Sequence, residues 1–137
     1  MRYLIDTNIF IRLIKEPDII SANVRSIIFD YENQIYISSE SIKEFIHLVQ
    51  TGKVAGKRHN ITLDIFDFIE NELGYSIKYI AKEHLLTMEK LDLVENHNDP
   101  NDRLIIAQAI TEKIPLISSD TKFNKYVKFG LDFIPNR

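Results

Sequence analysis

The chain has 137 residues, of which 45% are hydrophobic and 27% are charged, and its formal net charge is −3. This length and composition predict one domain, residues 1–137, with a core of its own. The acidic balance argues against a basic protein that coats nucleic acid, and the absence of cysteine excludes disulfides, thiolate zinc sites and cysteine nucleophiles. No apolar run reaches the roughly 18–20 residues that span a bilayer, and no signal peptide is visible, so we expect a cytoplasmic protein.

The first part of the chain predicts strands that alternate with amphipathic helices. Apolar residues at i, i+3, i+4 and i+7 between positions 42 and 49 are typical of a helix with one buried face. The predicted elements are a strand at Tyr3–Ile5, a helix with Phe10, Leu13 and Ile14 inward, a helix at Pro17–Phe29, a strand at Gln34–Ile37, and a helix that Ser38 or Ser39 caps and that ends at Gln50.

The second part continues this alternation. The predicted elements are a loop at Thr51–Asn60, a helix at Ile61–Leu73 ended by Gly74, a strand at Tyr75–Ile80, a helix at Ala81–Leu91 with Leu85 and Met88 inward, a helix at Arg103–Lys113, a strand at Leu116–Ile117, a short helix at Lys122–Tyr126, and a strand at Phe129–Phe133. Alternating strands and helices predict an α/β fold with a mostly parallel sheet covered by helices on both faces.

Three aspartates lie at the ends of these elements. Asp6 and Asp120 each follow an apolar strand, and Asp102 lies at the start of the strongest helix. Taken alone, Asp6 is better explained as a helix cap, and Asp102 and Asp120 are plausibly a first-turn charge and a cap, but a capping carboxylate still points at the strand end, so these roles are compatible with a functional site. Ligands of open α/β sheets bind at the carboxyl ends of the strands, where gathered carboxylates repel one another by about 4 kcal/mol per pair at 4 Å and an effective dielectric of 20. We therefore expect a divalent cation there, Mg²⁺ or Mn²⁺, and phosphodiester chemistry.

Glu44 is a weaker candidate for the same site. In helical projection it lies off the apolar stripe, on a face shared with Ser41 and Leu48. Periodicity alone does not separate a metal-site glutamate from a solvated one, and the residue taken alone favours solvent.

Four segments resemble the motifs of the PIN-domain nucleases, and in particular of the VapC-type toxins of toxin–antitoxin pairs. Leu4–Asn8 is similar to the opening LxDTN motif, and His97–Ala109 closely matches DPxDRLIAQA. Ile37–Glu44 resembles the second motif, a strand and serine leading to a helical acid, and Ile117–Asp120 stands where the family often has TxD. The resemblance covers nearly the whole chain, and its first and third motifs are specific in combination.

The resemblance implies a PIN-like three-layer fold and an acidic metal site made of Asp6, Glu44, Asp102 and Asp120. It further implies an endoribonuclease that uses one or two Mg²⁺ or Mn²⁺ ions, acts on transfer, ribosomal or messenger RNA, self-associates as a homodimer, and is bound by a VapB-like antitoxin. We expect the antitoxin to contact the helices between Ser39 and Leu73.

Two positions depart from the family's pattern. Asn101 stands where many relatives carry Phe, and Ser118 replaces the usual threonine but keeps the hydroxyl group. Neither position is acidic, so the set of four acids is complete.

Polar groups beside the acids are candidates to orient carboxylates or to contact substrate. Thr7, Asn8 and Ser118 belong to the motifs, and Ser119 lies next to them. Turn and cap chemistry explains the same residues equally well, so both interpretations stay open.

Several basic residues are candidate contacts for RNA phosphates. Lys53, Lys57 and Arg58 form the most basic stretch, and Arg12 and Arg103 lie near motif acids. A charged loop is more often a solvated surface, and Arg103 is better explained by pairing with an acid that fixes a loop.

The four histidines do not have metal-ligand spacing. We interpret His97 as a hydrogen-bonding residue of its loop, and His47 and His84 as surface or boundary residues.

Three other functions compete with the nuclease. A response-regulator receiver requires paired N-terminal acids and a lysine after a late strand, but Asp6 is single and Ser118 follows Ile117. A haloacid-dehalogenase-type phosphatase requires Asp-x-Asp, but position 8 is Asn. A non-catalytic PIN-type RNA- or protein-binding module stays open, although such modules usually lack one or more of the four acids.

Overall fold

A computed structural model describes residues 1–53 and 65–137 of the chain. The strands are β1 (Arg2–Ile5), β2 (Gln34–Ser38), β3 (Ser76–Lys78), β4 (Leu116–Ser118) and β5 (Phe133–Pro135). The α-helices are α1 (Thr7–Lys15), α2 (Ala22–Ile28), α3 (Ser39–Gln50), α4 (Lys82–Lys90) and α5 (Pro100–Glu112). Shorter helical segments are the 3₁₀ helices Pro17–Ile19 and Thr121–Phe129 and the π-helical turn Phe68–Glu72.

The five strands form one parallel sheet in the order β3-β2-β1-β4-β5. The central strand β1 pairs with β2 on one side and with β4 on the other, so that Ile5 lies opposite both Ile37 and Ile117. Because all strands run in one direction, their carboxyl ends meet at the same edge of the sheet. The α/β fold with a parallel central sheet is therefore confirmed.

The sheet separates two hydrophobic clusters. Leu4 and Leu116 pack on one face against α5 and the 3₁₀ helix Thr121–Phe129, whereas Ile5 and Ile117 pack on the other against α1, α2 and α3. Successive strand residues point to opposite faces, and burial of both faces explains why β1 and β4 are apolar without alternation.

The helix predicted at Pro17–Phe29 is wrong because the segment forms two helices. A 3₁₀ turn ends at Ile19, and Ser21 then begins α2 by accepting a hydrogen bond from the backbone N–H of Val24. Buried Ile20 lies between the two helices and supplies a core contact there. Periodicity alone did not show this break.

The strand predicted at Phe129–Phe133 is also displaced, because Gly130 ends the preceding 3₁₀ helix with φ of +105°. This left-handed conformation favours glycine. The strand then begins only at Phe133. The predicted strand Tyr75–Ile80 is likewise shortened to β3, and the predicted helix Ile61–Leu73 lies partly outside the described residues.

The inward position predicted for Leu85 in the helix at Ala81–Leu91 is wrong, whereas Met88 is half-buried. Leu85 is 51% exposed, whereas the neighbouring His84 is 2% exposed. His84 accepts a hydrogen bond at Nδ1 from the N–H of Ala81 and contacts Glu112 through Nε2 at 2.7 Å. The interpretation of His84 as a surface or boundary residue is therefore wrong, because this residue is buried and links α4 to α5 through its hydrogen bonds.

Candidate metal centre

Asp6 lies where β1 ends and α1 begins, at the carboxyl edge of the sheet. Its Oδ1 accepts a hydrogen bond of 2.9 Å from the backbone N–H of Ile9, which makes it the N-cap of α1. Its Oδ2 accepts a hydrogen bond of 2.6 Å from the Ser118 hydroxyl. The capping and site interpretations are thus compatible, since the capping carboxylate is buried at the strand end.

Ser118 and Asp120 extend the site from β4. The Ser118 hydroxyl donates to Asp6 and accepts from the backbone N–H of Asp120 at 2.9 Å. Asp120 in turn caps the 3₁₀ helix that follows by accepting from the N–H of Lys122. One serine side chain therefore fixes the position of one acid and the backbone of the other.

Glu44 reaches the site from α3, although the residue taken alone favoured exposure to solvent. The Thr7 hydroxyl donates a 2.7 Å hydrogen bond to Glu44 Oε1 and lies 3.0 Å from the hydroxyl of buried Ser41. Because Thr7 directly follows Asp6, this contact places the Glu44 carboxylate beside the end of β1.

Asp102 lies in the first turn of α5, which Asp99 caps by accepting a hydrogen bond from the N–H of Asn101. The Oδ2 atom of Asp102 is 3.3 Å from Nε2 of His97, whose side chain is buried. Ligand atoms of His97, Asp102 and Asp120 all lie within 4.8 Å of one another. The polar loop before α5 and the end of β4 therefore converge on one point.

The pKa of Asp6 is raised from 3.8 to about 7, mainly by burial and in smaller part by the charges of Asp102 and Asp120, while its hydrogen bonds to Ser118 and Ile9 act to lower it. The pKa of Asp102 is raised to about 6, mainly by burial and then by the charges of Asp99 and Glu44, while the hydrogen bond and charge of His97 act to lower it. Asp102 and Asp120 thus lie close enough to act on the ionisation of Asp6, and Glu44 lies close enough to act on that of Asp102.

This donor set fits a hard divalent cation. Carboxylate oxygens are the ligands that Mg²⁺ and Mn²⁺ prefer, and a cation removes the repulsion that raises the pKa values of Asp6 and Asp102. Asp6, Glu44, Asp102 and Asp120 are the four acids that the sequence singled out, and the structure brings all four together.

Arg12 lies at the margin of this centre. Its guanidinium donates to the hydroxyl of Ser119, which also accepts a 2.9 Å hydrogen bond from the Asn136 amide. The Asn136 side chain, just after β5, also accepts a hydrogen bond from the N–H of Ser21 and so connects Ser119 to the start of α2. Arg12 is therefore held next to the segment that carries Asp120.

The other basic candidates do not share this position. Arg103 is 6% exposed and donates to the backbone carbonyls of Leu91 and Asp92, so it fixes a loop through carbonyls rather than through an acid, and it is not available to a phosphate. Lys53 is exposed just after α3, and Lys57 and Arg58 lie outside the described residues.

Asn8, a candidate to orient a carboxylate or to contact substrate, is exposed in the first turn of α1.

Sequence reasoning missed the contacts of Ser41 with Thr7 and of Tyr126 with the ring of His97. It interpreted His97 as a hydrogen-bonding residue of its own loop, whereas the ring contacts Tyr126 and the candidate acid Asp102. The place of His97 within the third motif was a usable signal, whereas nothing in the local sequence linked Tyr126 to a residue 29 positions earlier.

Comparisons with known proteins place this arrangement in context. A family model described as PIN domain matches residues 3–128, and no curated protein matches significantly. Similar solved structures are VapBC2 from Rickettsia felis bound to a promoter DNA fragment (22% identity, all of both chains, TM-score 0.72) and VapBC-1 from nontypeable Haemophilus influenzae (21% identity, 98% of both chains, TM-score 0.71). DNA-bound VapBC from Salmonella typhimurium is 13% identical over 98% of both chains, with a TM-score of 0.70.

No helix among residues 1–53 and 65–137 combines the length and the apolar character needed to cross a bilayer. The matched family model covers nearly the whole chain. The chain therefore belongs to the PIN domain family.

Proposed function

We propose that this chain is a metal-dependent endoribonuclease that cleaves RNA phosphodiester bonds and serves as the toxin of a VapBC-type toxin–antitoxin system. The observation that carries the proposal is the convergence of four acids from separate segments: Asp6, Glu44, Asp102 and Asp120. A protein that only bound RNA would gain nothing from gathering negative charge where a phosphate must approach.

In this proposal Asp6, Asp102 and Asp120 hold one or two Mg²⁺ or Mn²⁺ ions, with Glu44 as a ligand or in contact through water. When bound, such an ion activates a water molecule and offsets the negative charge that develops on the phosphate. The remaining polar groups orient the acids. Ser118 orients the carboxylate of Asp6, and Thr7 orients that of Glu44.

Arg12 is our choice for a contact to an RNA phosphate. It is half-buried at the margin of the centre, and its guanidinium is anchored by Ser119. A guanidinium carries five N–H donors, so the bond to Ser119 leaves others for a phosphate. Attack by water would leave 5′-phosphate and 3′-hydroxyl ends, whereas attack by the 2′-hydroxyl would leave a cyclic phosphate.

The proposed partner is a VapB-like antitoxin, and its proposed docking place is beside α3. An open apolar groove of about 250 Å³ lies there, lined by Ser39, Ile42, Lys43, Ile46, Phe66 and Tyr79. Two of its residues, Phe66 and Tyr79, are 37% and 61% exposed. The likeness in fold to chains of solved VapBC structures supports this partner. We further propose that the toxin forms a homodimer and that it is located in the cytoplasm.

The test is cleavage of a mixed tRNA and rRNA pool by purified, antitoxin-free protein, with Mg²⁺ or Mn²⁺ compared with EDTA. Asp6→Asn and Asp102→Asn remove one acid each, and Asp18→Asn is the matched control because Asp18 is an exposed acid on a separate 3₁₀ turn. We expect metal-dependent cleavage that both site variants lose and the control keeps. Sequencing of the product ends identifies the target and the attacking group.

Toxin activity is tested by induced expression in bacteria. We expect growth arrest by the wild type and by Asp18→Asn, and normal growth with Asp102→Asn. Folded, metal-bound protein that cuts no RNA would instead support a PIN-type binding module, and cleavage without growth arrest would support a nuclease that is not a toxin.

A further inference from the structure

His97 is held rigidly beside the acidic centre. Its ring lies edge-to-face against Phe123 and Tyr126, with centroid distances of 5.6 and 5.2 Å. The side chain is buried, and its Nε2 atom is directed at Asp102. Because this packing fixes the orientation of the ring, Nε2 is the ring atom that faces the acids. Whether Nε2 carries a hydrogen or a lone pair then decides whether it can bind a metal ion.

The hydroxyl of Tyr126 indicates where the hydrogen of His97 lies. This hydroxyl is 2.7 Å from His97 Nδ1 and 3.3 Å from the backbone carbonyl oxygen of the same residue. A hydroxyl has one hydrogen, so both contacts are hydrogen bonds only when Tyr126 donates to the carbonyl and Nδ1–H donates to Tyr126. In that neutral tautomer Nε2 carries a lone pair, and this lone pair faces the Asp102 carboxylate.

Two acceptors that face each other need either a proton or a metal ion between them, and the distance between them distinguishes the two cases. The distance of 3.3 Å from Nε2 to Asp102 Oδ2 exceeds the roughly 2.7–2.9 Å of a charge-assisted N–H···O bond. Neighbouring ligands of an octahedral ion with bonds of about 2.0–2.1 Å lie about 3 Å apart. The spacing therefore suits two ligands of one ion, and an oxygen of Asp120 lies within 4.8 Å of both.

We propose that Nε2 of His97 is a direct ligand of the metal ion, together with Asp102 and Asp120, and that this nitrogen makes the site select Mn²⁺ over Mg²⁺. The inference rests on the metal centre of the proposed function. Both ions prefer oxygen ligands, but Mn²⁺, as a first-row transition ion, tolerates one imidazole nitrogen among them better than Mg²⁺ does. Tyr126 is then the partner on the other ring nitrogen, as metal-binding histidines commonly have.

The test is pulsed electron paramagnetic resonance of Mn²⁺ bound to the full chain, which detects a directly bonded ¹⁴N nucleus. We expect nitrogen modulation in the wild type and none in His97→Gln, whose side chain offers an amide oxygen. His47→Gln is the matched control, since His47 is exposed on α3. Competition titration should show Mn²⁺ affinity falling about 10-fold or more in His97→Gln, as losses of metal-site partners do, with Mg²⁺ affinity falling less.

Bound Mn²⁺ without nitrogen modulation in the wild type would overturn the inference, because His97 would then only position Asp102 through an Nε2–H donor. This outcome concerns the wild type alone and does not depend on whether His97→Gln folds. Cleavage that needs a metal and is lost in Asp102→Asn would leave the proposed function standing in that case. Folded wild-type protein that binds no Mn²⁺ would overturn the inference and the proposed metal centre together.

Discussion

Ser118 donates a 2.6 Å hydrogen bond to Asp6 across a sequence separation of 112 residues. The bond joins the ends of β1 and β4, which are neighbours in the sheet. The same hydroxyl accepts from the N–H of Asp120, so it couples two of the acids proposed to bind metal. This geometry gives the family-motif hydroxyl at position 118 a defined physical role.

Replacing Ser118 tests that role. Ser118→Ala removes the donor to Asp6 and the acceptor for the Asp120 N–H, so we expect a loss of about 1–3 kcal/mol in the free energy of unfolding. We also expect Mn²⁺ affinity, measured by titration, to fall about 10- to 100-fold, as for other lost partners of metal ligands. Ser118→Thr keeps the hydroxyl and should retain most of the affinity. Equal affinities for Ala, Thr and wild type would contradict this role.

The raised pKa of Asp6 predicts an unusual dependence of stability on pH. Folded protein binds the Asp6 proton more tightly than unfolded chain does, since the pKa rises from 3.8 to about 7. The free energy of unfolding of metal-free protein should therefore fall as pH rises from about 4 to about 7, by on the order of 4 kcal/mol at 1.36 kcal/mol per pKa unit. Asp102 acts in the same direction.

Urea unfolding in EDTA at pH 5 and pH 7.5 measures this effect. Asp6→Asn carries no charge at either pH, so its stability relative to the wild type should increase with pH. Mn²⁺ should stabilise the wild type more at pH 7.5 than at pH 5, because the ion competes with the proton. A stability difference between the two proteins that is the same at both pH values would refute the assignment of the shift to Asp6.

Thr7 offers a test of the position of Glu44. Thr7→Val keeps the shape of the side chain but removes the hydroxyl that donates to Glu44 at 2.7 Å. We expect about a 10- to 100-fold loss of metal affinity or of the cleavage rate. Thr7→Ser keeps the hydroxyl and should stay within a few-fold of wild type. A loss in Thr7→Ser that Thr7→Val does not share would indicate that packing of the methyl group, not the hydrogen bond, is what matters, because only Val keeps that methyl group.

Two arginines near the motif acids should give opposite results. Arg12→Gln removes a proposed phosphate contact, so KM for RNA should rise and the slope of log affinity against log salt should fall by about 1. Stability should change little. Arg103→Gln instead leaves the carbonyls of Leu91 and Asp92 without their charged donor, which should cost about 1.5–3 kcal/mol of stability.

Salt titration of RNA binding and urea unfolding of both variants separate these outcomes. Arg12→Lys is the intermediate case, because it keeps the charge but loses the forked donors. A salt slope that falls for Arg103→Gln and not for Arg12→Gln would reverse our assignment of the two residues.

The sequence by itself determined the fold class, the family and the identity of the four acids. Apolar strands that alternate with amphipathic helices predict parallel pairing, and parallel pairing places the residues after each strand at one edge of the sheet. Asp6 and Asp120 follow β1 and β4, so local pattern and general topology sufficed to bring them together. The metal-binding role of these acids stays a prediction.

The tertiary structure alone decided which polar groups touch which. Hydrophobic periodicity describes the apolar face of an element, but the partner of a polar side chain depends on which distant segment packs against it. Glu44 accepts a hydrogen bond from Thr7, and Tyr126 is hydrogen-bonded to His97. Arg103 donates to backbone carbonyls and not to an acid. The same reason explains the error at Leu85, since buried His84 takes the inward position through its contact with α5.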